Sequence, residues 1–188
     1  YMNPSVTNPS ISDIYQQIKR GELILQPSFQ RKFVWTNAHQ EAFIDTILQG
    51  YPFPEIYVCQ GKTDIKALIT TKDVIDGQQR LTTIYNYISN SYGEKDCFPF
   101  KRIKPFNQLS TAQKESFIEY KVVVRDLGKI TSEQTREIFR RINMTKFKLD
   151  DIEIQNAIYD GEFIQTAKDI LNNFELKDFG VLYESDFS

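Results

Sequence analysis

The hydrophobic and polar positions of this chain predict strands in its first two thirds and mostly helices after them. Short segments rich in β-branched and aromatic residues, bounded by Gly, Pro or polar residues, are typical of strands. They cover 23–25, 55–59, 67–70, 73–75 and 121–125. A turn is predicted over 61–64, and the Pro-, Asn- and Ser-rich residues 1–10 are expected to be an irregular lead-in.

Apolar residues three or four positions apart predict the helices. Ser12 is expected to cap the first helix, and Thr36 or Asn37 the second, which reaches Leu48. Further helices are predicted at 81–88, 111–119, from 131 to about 143, from 150 to near 161, and over 162–173. Thr131 and Gln134 have the spacing of a capping box. The pattern as a whole predicts an α+β fold.

Composition narrows the function without identifying it. The chain has 188 residues and a net charge of −2, so nucleic-acid binding would need a local basic patch. Two cysteines are too few for a disulfide scaffold and favour a reduced, cytoplasmic protein. No apolar run is long enough to span a membrane, and we expect no membrane partner. We expect a piece of a longer protein, divided into an α+β domain at 1–128 and a helical extension at 129–188.

One polar segment has the composition of a binding loop. Asp76-Gly77-Gln78-Gln79-Arg80 runs from a predicted buried strand into a helix. Amide groups at a helix start, together with the helix dipole, favour an anion. Gly77 permits a sharp turn and a close approach of the backbone to a ligand, and Arg80 offers a planar fork for phosphate. Asp76 could bind a metal ion, accept from a ribose or base, or orient Arg80, whereas Gln78 and Gln79 suit base or sugar edges.

A purely structural interpretation of the same loop is almost as good. Asp76 would then cap the helix, and Arg80 would pair with it. Local physics leaves these two interpretations evenly matched. The density of polar residues after an apolar strand favours a binding function slightly, because a turn needs only one or two of them.

This loop is similar to the signature of the amino-terminal domains of GmrSD-type restriction systems, and more distantly to the phosphate box of the ParB/sulfiredoxin superfamily. Other elements of that family occur before and after the loop, in the family's order, over roughly residues 12–160. They are Phe29-Gln30-Arg31-Lys32-Phe33-Val34-Trp35, the 52–57 segment, the 138–143 segment with Arg141 and Asn143, and the 149–157 segment. Lys32 departs from the pattern, because the family usually has Pro there.

The resemblance implies a ParB/sulfiredoxin-like fold, a small mixed sheet with packed helices followed by a mostly helical part. It implies a nucleotide-binding and NTP-hydrolysing sensor in a DNA restriction, phage-defence protein, with Mg²⁺ accompanying the NTP. The expected catalytic residues are Asp76, Gln79 and Arg80, with Asp76 also the candidate Mg²⁺ ligand. The residues expected to bind nucleotide or phosphate are Gln30, Arg31, Gly77, Gln78, Arg141 and Asn143.

Two other functions remain open. The same pocket would serve a module that recognises modified DNA without hydrolysis, or a ParB-like nuclease. DNA is expected to bind through the full-length protein, and a nuclease domain or subunit, or a second copy of the chain, is an expected partner. The basic loop with Lys101 and Lys104 is more simply a solvated loop than a nucleic-acid surface, and His39 is more simply a surface residue.

Overall fold

A five-stranded mixed sheet organises the part of the chain that the computed structural model describes, residues 4–25, 34–92 and 97–145. The strands are β1 (Ser5–Thr7), β2 (Leu23–Ile24), β3 (Ile56–Asp64), β4 (Ile69–Asp76) and β5 (Val124–Asp126), in the order β1-β5-β3-β4-β2. The central strand β3 pairs antiparallel with β4 and parallel with β5. The α+β prediction is confirmed, and the narrower ParB/sulfiredoxin-like assignment stays a prediction.

Helices lie in the connections between these strands except in the β3–β4 hairpin, and a last helix follows β5. They are α1 (Ile11–Lys19), α2 (Asn37–Leu48), α3 (Gln78–Ser89), α4 (Thr111–Glu119) and α5 (Ser132–Thr145), with a short 3₁₀ turn at Phe106–Gln108. Capping boxes begin α1, α2 and α4 on Ser10, Thr36 and Ser110. The predicted pair also forms, since the Gln134 amide donates to Thr131 Oγ1 at 3.1 Å and Gln134 Oε1 accepts from the Thr131 amide at 2.9 Å.

Several local predictions were wrong, each for a physical reason. Residues 61–64 belong to β3 rather than to a turn, because the hairpin turns later and 69–76 is one continuous strand. Residues 5–7 of the expected lead-in form β1, since they find β5 as an antiparallel partner. The predicted strand at 121–125 is ordered as β5 only from Val124, and the cap of α1 is Ser10 instead of Ser12.

Apolar side chains cover the sheet on both faces. On β3, Ile56 and Val58 belong to the main core, whereas Tyr57 and Cys59 belong to a second, smaller cluster. Successive residues of a strand point to opposite faces, so the two clusters lie on opposite sides of the sheet. Helices α1 to α4 supply the main core, and Ile138 and Phe139 of α5 pack against the smaller cluster.

Two further expectations concern membrane-spanning helices and the domain boundary at residue 128. None of the described helices is long and apolar enough to cross a membrane. The boundary predicted at residue 128 stays a prediction, because the helices predicted from residue 150 onward lie outside the described residues. Helix α5, from the start of the predicted extension, packs on the sheet through its contacts with β4.

Core burial predicts a large difference between two isoleucines. Ile44 is 0% exposed, so Ile44→Ala should lower the free energy of unfolding by about 2–5 kcal/mol. Ile65 is 81% exposed, and the same substitution there should change it by no more than about 0.5 kcal/mol. Urea unfolding of both variants measures the contrast, and equal losses would contradict the described packing.

Candidate functional site

The predicted polar loop forms the junction between β4 and α3. Asp76 is the last residue of β4, and Gly77 is the N-cap of α3 with a left-handed φ of 108°. Gln78, Gln79 and Arg80 are the first three residues of the helix, and the Leu81 amide donates to the Gly77 carbonyl at 2.9 Å. The predicted passage from a buried strand into a helix is confirmed, but Asp76 is not the cap.

Both the backbone conformation and the close packing of Ile56 favour glycine at residue 77. A Cβ atom placed on residue 77 would lie 2.2 Å from Ile56 Cδ1, far inside van der Waals contact. A left-handed φ is also costly for any residue with a side chain. The turn therefore brings the backbone of the loop directly onto the first residue of β3.

Asp76 and Arg80 form a buried ion pair. Arg80 Nη2 lies 3.1 Å from Asp76 Oδ2, and the two side chains are only 7% and 10% exposed. The Arg80 guanidinium also donates to the carbonyls of Pro54 and Glu55, and it lies 5.8 Å from the centre of the Phe53 ring. These contacts tie the first turn of α3 to the segment that enters β3. A direct phosphate contact by Arg80 would have to replace some of them, and it stays a prediction.

Gln79 holds a neighbouring segment in place. Its Oε1 accepts from the amides of Val34 and Trp35, each at 3.0 Å. Trp35 packs edge-on against Phe43 of α2 and joins the main core. The segment that follows the predicted ligands Gln30 and Arg31 thus lies against the start of α3. Gln30 and Arg31 themselves lie outside the described residues.

The other predicted ligand residues occupy different environments. Gln78 is only 5% exposed, so any contact it makes with a base or sugar would occur inside the protein. Arg141 is exposed on α5, where its Nε lies 2.6 Å from Glu137, and Asn143 donates to the Phe139 carbonyl at 2.8 Å. Asn143 lies within α5, which continues to Thr145. Hydrogen bonds from Arg140 and Arg141 lower the pKa of Glu137 to about 2.

A polar cluster beside the loop was not singled out from the sequence. Tyr57 pairs with Asp76 on one side and with Arg125 on the other, which places all three in one row across the sheet. The Tyr57 hydroxyl donates to Glu55 Oε1 at 2.5 Å, and Arg125 Nε donates to both Glu55 oxygens at 3.2 and 3.1 Å. The pKa of Tyr57 is raised mainly by the hydrogen bond to Glu55 and also by burial. The sequence signal that could have indicated this cluster is an arginine directly after the apolar run at 122–124.

The guanidinium of Arg125 keeps part of its capacity for hydrogen bonds. Its side chain is 35% exposed, and Glu55 engages only its Nε. Among the residues that the structure describes, its two terminal nitrogens have no hydrogen-bond partner. A guanidinium held by Nε can still present those two nitrogens as a fork to a carboxylate or phosphate.

A cavity of about 440 Å³ lies on the main-core face of the sheet, close to the loop. Ile56 and Leu81, which also flank Gly77, line one side of it. Its polar wall is formed by Thr7, Asn8, Gln17 and Lys72. Within the described ranges, no three His, Cys, Asp or Glu side chains come together as a metal-binding group.

Comparison with known proteins gives one family. The family model described as the GmrSD restriction endonuclease N-terminal domain matches residues 11–159. The chain is also similar to the uncharacterized protein MJ0686 of Methanocaldococcus jannaschii, with 31% identity over 103 residues. That match covers 45% of this chain and 17% of the relative, so the chain spans only a small part of this curated relative's length. No solved structure matches the chain.

The close contact at residue 77 predicts that Gly77→Ala loses stability for two reasons, which can be measured separately. Gly77→Ala should destabilise the fold by about 1–2 kcal/mol through its backbone conformation and by about 1–3 kcal/mol more through overlap with Ile56. Gly50 has a φ of 75° but open space around it, so Gly50→Ala carries the first cost alone. Ile56→Val removes Cδ1 and should partly rescue Gly77→Ala in urea unfolding. An equal loss for Gly77→Ala in both backgrounds would contradict the contact.

Proposed function

We propose a nucleotide-dependent function from the premise that this chain belongs to the family of N-terminal domains of GmrSD restriction endonucleases. Membership makes the chain a component of a restriction, phage-defence system. Within such a system, the chain binds a nucleoside triphosphate at the β4–α3 loop and hydrolyses it as a sensor. The nucleotide, the hydrolysis and the sensing belong to the proposal.

The start of α3 is the observation that carries this proposal. Helices α1, α2 and α4 begin with a side chain that caps the first turn, whereas α3 begins on Gly77 with no side-chain cap. A helix start has amide donors and the positive end of the dipole, and both attract an anion. This arrangement supports phosphate binding at residues 77–79.

Asp76 and Arg80 then act first as positioning residues. The pair is buried and hydrogen-bonded to the backbone before β3, so it holds the loop in one geometry. Removing one partner of a buried ion pair typically costs about 3–5 kcal/mol, because the other charge is left uncompensated. A preorganised loop places its amide donors on the phosphate without a further ordering cost.

Arg125 is the proposed side-chain contact to the phosphates. Its partner Glu55 orients the guanidinium through Nε. Tyr57 on β3 lies between Asp76 on β4 and Arg125 on β5 in the strand pairing. Gln79 contributes indirectly, because it holds Val34 and Trp35, which lie just after the predicted ligands Gln30 and Arg31. Arg141 and Asn143 remain proposed ligands on α5.

Asp76 is the carboxylate that the loop offers to Mg²⁺. One of its oxygens pairs with Arg80, and no group of three metal-binding side chains is found among the described residues. Mg²⁺ is often held by one or two carboxylates together with substrate phosphates and waters, so a single Asp fits an ion that arrives with the triphosphate. The bound ion would supply charge neutralisation on the phosphates.

The proposed reaction is attack of water on the terminal phosphorus. The bond from that phosphorus to the bridging oxygen breaks, and the products are the nucleoside diphosphate and inorganic phosphate. Phosphoryl transfer depends mainly on positioning and on stabilising charge. The loop amides and Arg125 supply both, and Gln79 keeps the adjoining segment against the loop.

Nucleotide binding tests the proposal through two variants, one that removes the positive charge of Arg125 and one that removes the negative charge of Glu55. Arg125→Gln removes a charge-assisted contact of about 1.5–3 kcal/mol, so NTP affinity should fall about tenfold or more. Glu55→Gln keeps one side-chain oxygen that can accept from Arg125 Nε and removes the negative charge beside it, so affinity should be unchanged or higher. Arg20 also pairs with a glutamate, and Arg20→Gln serves as the matched control.

The measurement is calorimetric titration with the NTP that raises the melting temperature most in a panel with and without Mg²⁺. Phosphate release by the wild type is then compared with release by each variant. Equal affinities for the wild type and Arg125→Gln would remove Arg125 from the site. A wild type that binds no NTP would remove the function. Arg80→Ala is a poorer probe, because we expect it to destabilise the fold.

A further inference from the structure

The outer part of the β3–β4 hairpin extends beyond the rest of the sheet. β5 pairs with β3 only at 56–58, and β2 pairs with β4 only at Lys72 and Asp73. Among the described strands, therefore, residues 61–71 pair only with each other. Most side chains of this two-stranded ribbon are exposed.

The tip of the ribbon is apolar and held in a defined shape. Ile65 is 81% exposed and Leu68 is 87% exposed. Asp64 Oδ1 accepts from the amides of Lys66 and Ala67 at 2.9 and 3.0 Å, which closes the turn. Leu68 has a φ of 54°, an uncommon conformation for a bulky residue. Two large aliphatic side chains are thus presented to solvent by a braced turn.

The ribbon is basic in a chain that is slightly acidic. Residues 61–71 contain two lysines and one aspartate, and Lys72 follows them, whereas the whole chain has a net charge of −2. The aspartate, Asp64, uses one carboxylate oxygen inside the turn, and Lys72 pairs with Asp126 at 2.7 Å. Lys62 and Lys66 are exposed and flank Ile65 in the sequence, and the carboxylate of Asp73 lies close enough to Lys62 to interact with its charge.

We propose that this ribbon, residues 61–71, is a docking surface for duplex DNA. Lys62 and Lys66 contact backbone phosphates, and the aliphatic tip enters a groove. A two-stranded ribbon fits a DNA groove, and exposed aliphatic side chains at such positions can wedge against a base step. The charge of the ribbon matches the phosphate backbone, and one hydroxyl of the hydrogen-bonded pair Thr63 and Thr70 keeps its hydrogen for a phosphate.

DNA fits this surface better than a protein partner does. A stable protein interface buries about 800 Å² on each partner, more than a tip of two or three aliphatic residues supplies. The proposal goes beyond nucleotide binding at the β4–α3 loop and does not require it. Its test uses no nucleotide, so either proposal can fail without the other.

The experiment measures binding of the chain to a fluorescent mixed-sequence duplex at several salt concentrations. Lys62→Glu with Lys66→Glu should weaken binding about tenfold or more and reduce the slope of log affinity against log salt by about 2. Ile65→Ser with Leu68→Ser should weaken binding and leave that slope unchanged. The two lysines at 101 and 104 provide a matched control, since Lys101→Glu with Lys104→Glu makes the same change in charge.

Three results would overturn the proposal. The first is a wild type that does not bind duplex DNA. The second is an equal loss in the Lys101 and Lys104 control, which would assign the effect to overall charge or to that loop. The third is unchanged DNA binding when Ile65 and Leu68 are replaced. If that variant also turned a dimer into a monomer in light scattering, the tip would instead be a contact between copies of the chain.

Discussion

The buried pair of Asp76 and Arg80 is the interaction on which the proposed site depends. It joins the last residue of β4 to the first turn of α3, and the same guanidinium reaches the carbonyls of Pro54 and Glu55 before β3. One side chain therefore fixes three segments that meet around Gly77. Because a buried charge is costly without its partner, the loop has little freedom to change shape while the fold persists.

This constraint separates positioning from ligand contact within the loop. Arg80 and Gln79 are occupied with the protein itself, the first with Asp76 and the segment before β3, and the second with the segment at Val34 and Trp35. Glu55 links the two arginines, since its carbonyl accepts from Arg80 and its carboxylate accepts from Arg125. The buried arginine shapes the loop, and the half-buried arginine at its side is left with donors for an anion.

The sequence could predict elements defined by local rules. The helix after Thr36, the capping pair at Thr131 and Gln134, and the strand-to-helix passage at residues 76–80 all follow from neighbouring residues. It could not predict features that depend on a distant partner. β1 forms because β5 lies beside it. Residues 61–64 are part of a strand because residues 69–71 lie opposite them. Strand pairing across Tyr57 places Arg125 in one row with Asp76, which no local pattern shows.

The central claim is that the amide groups at residues 77–79 receive the phosphates of a nucleotide. Backbone amide NMR of the isotope-labelled chain, titrated with NTP and Mg²⁺, tests it most directly. The account predicts that the largest shift changes fall on Gly77, Gln78 and Gln79, with further changes at the side chain of Arg125. Saturable binding that leaves these signals unmoved and perturbs a different surface would contradict it.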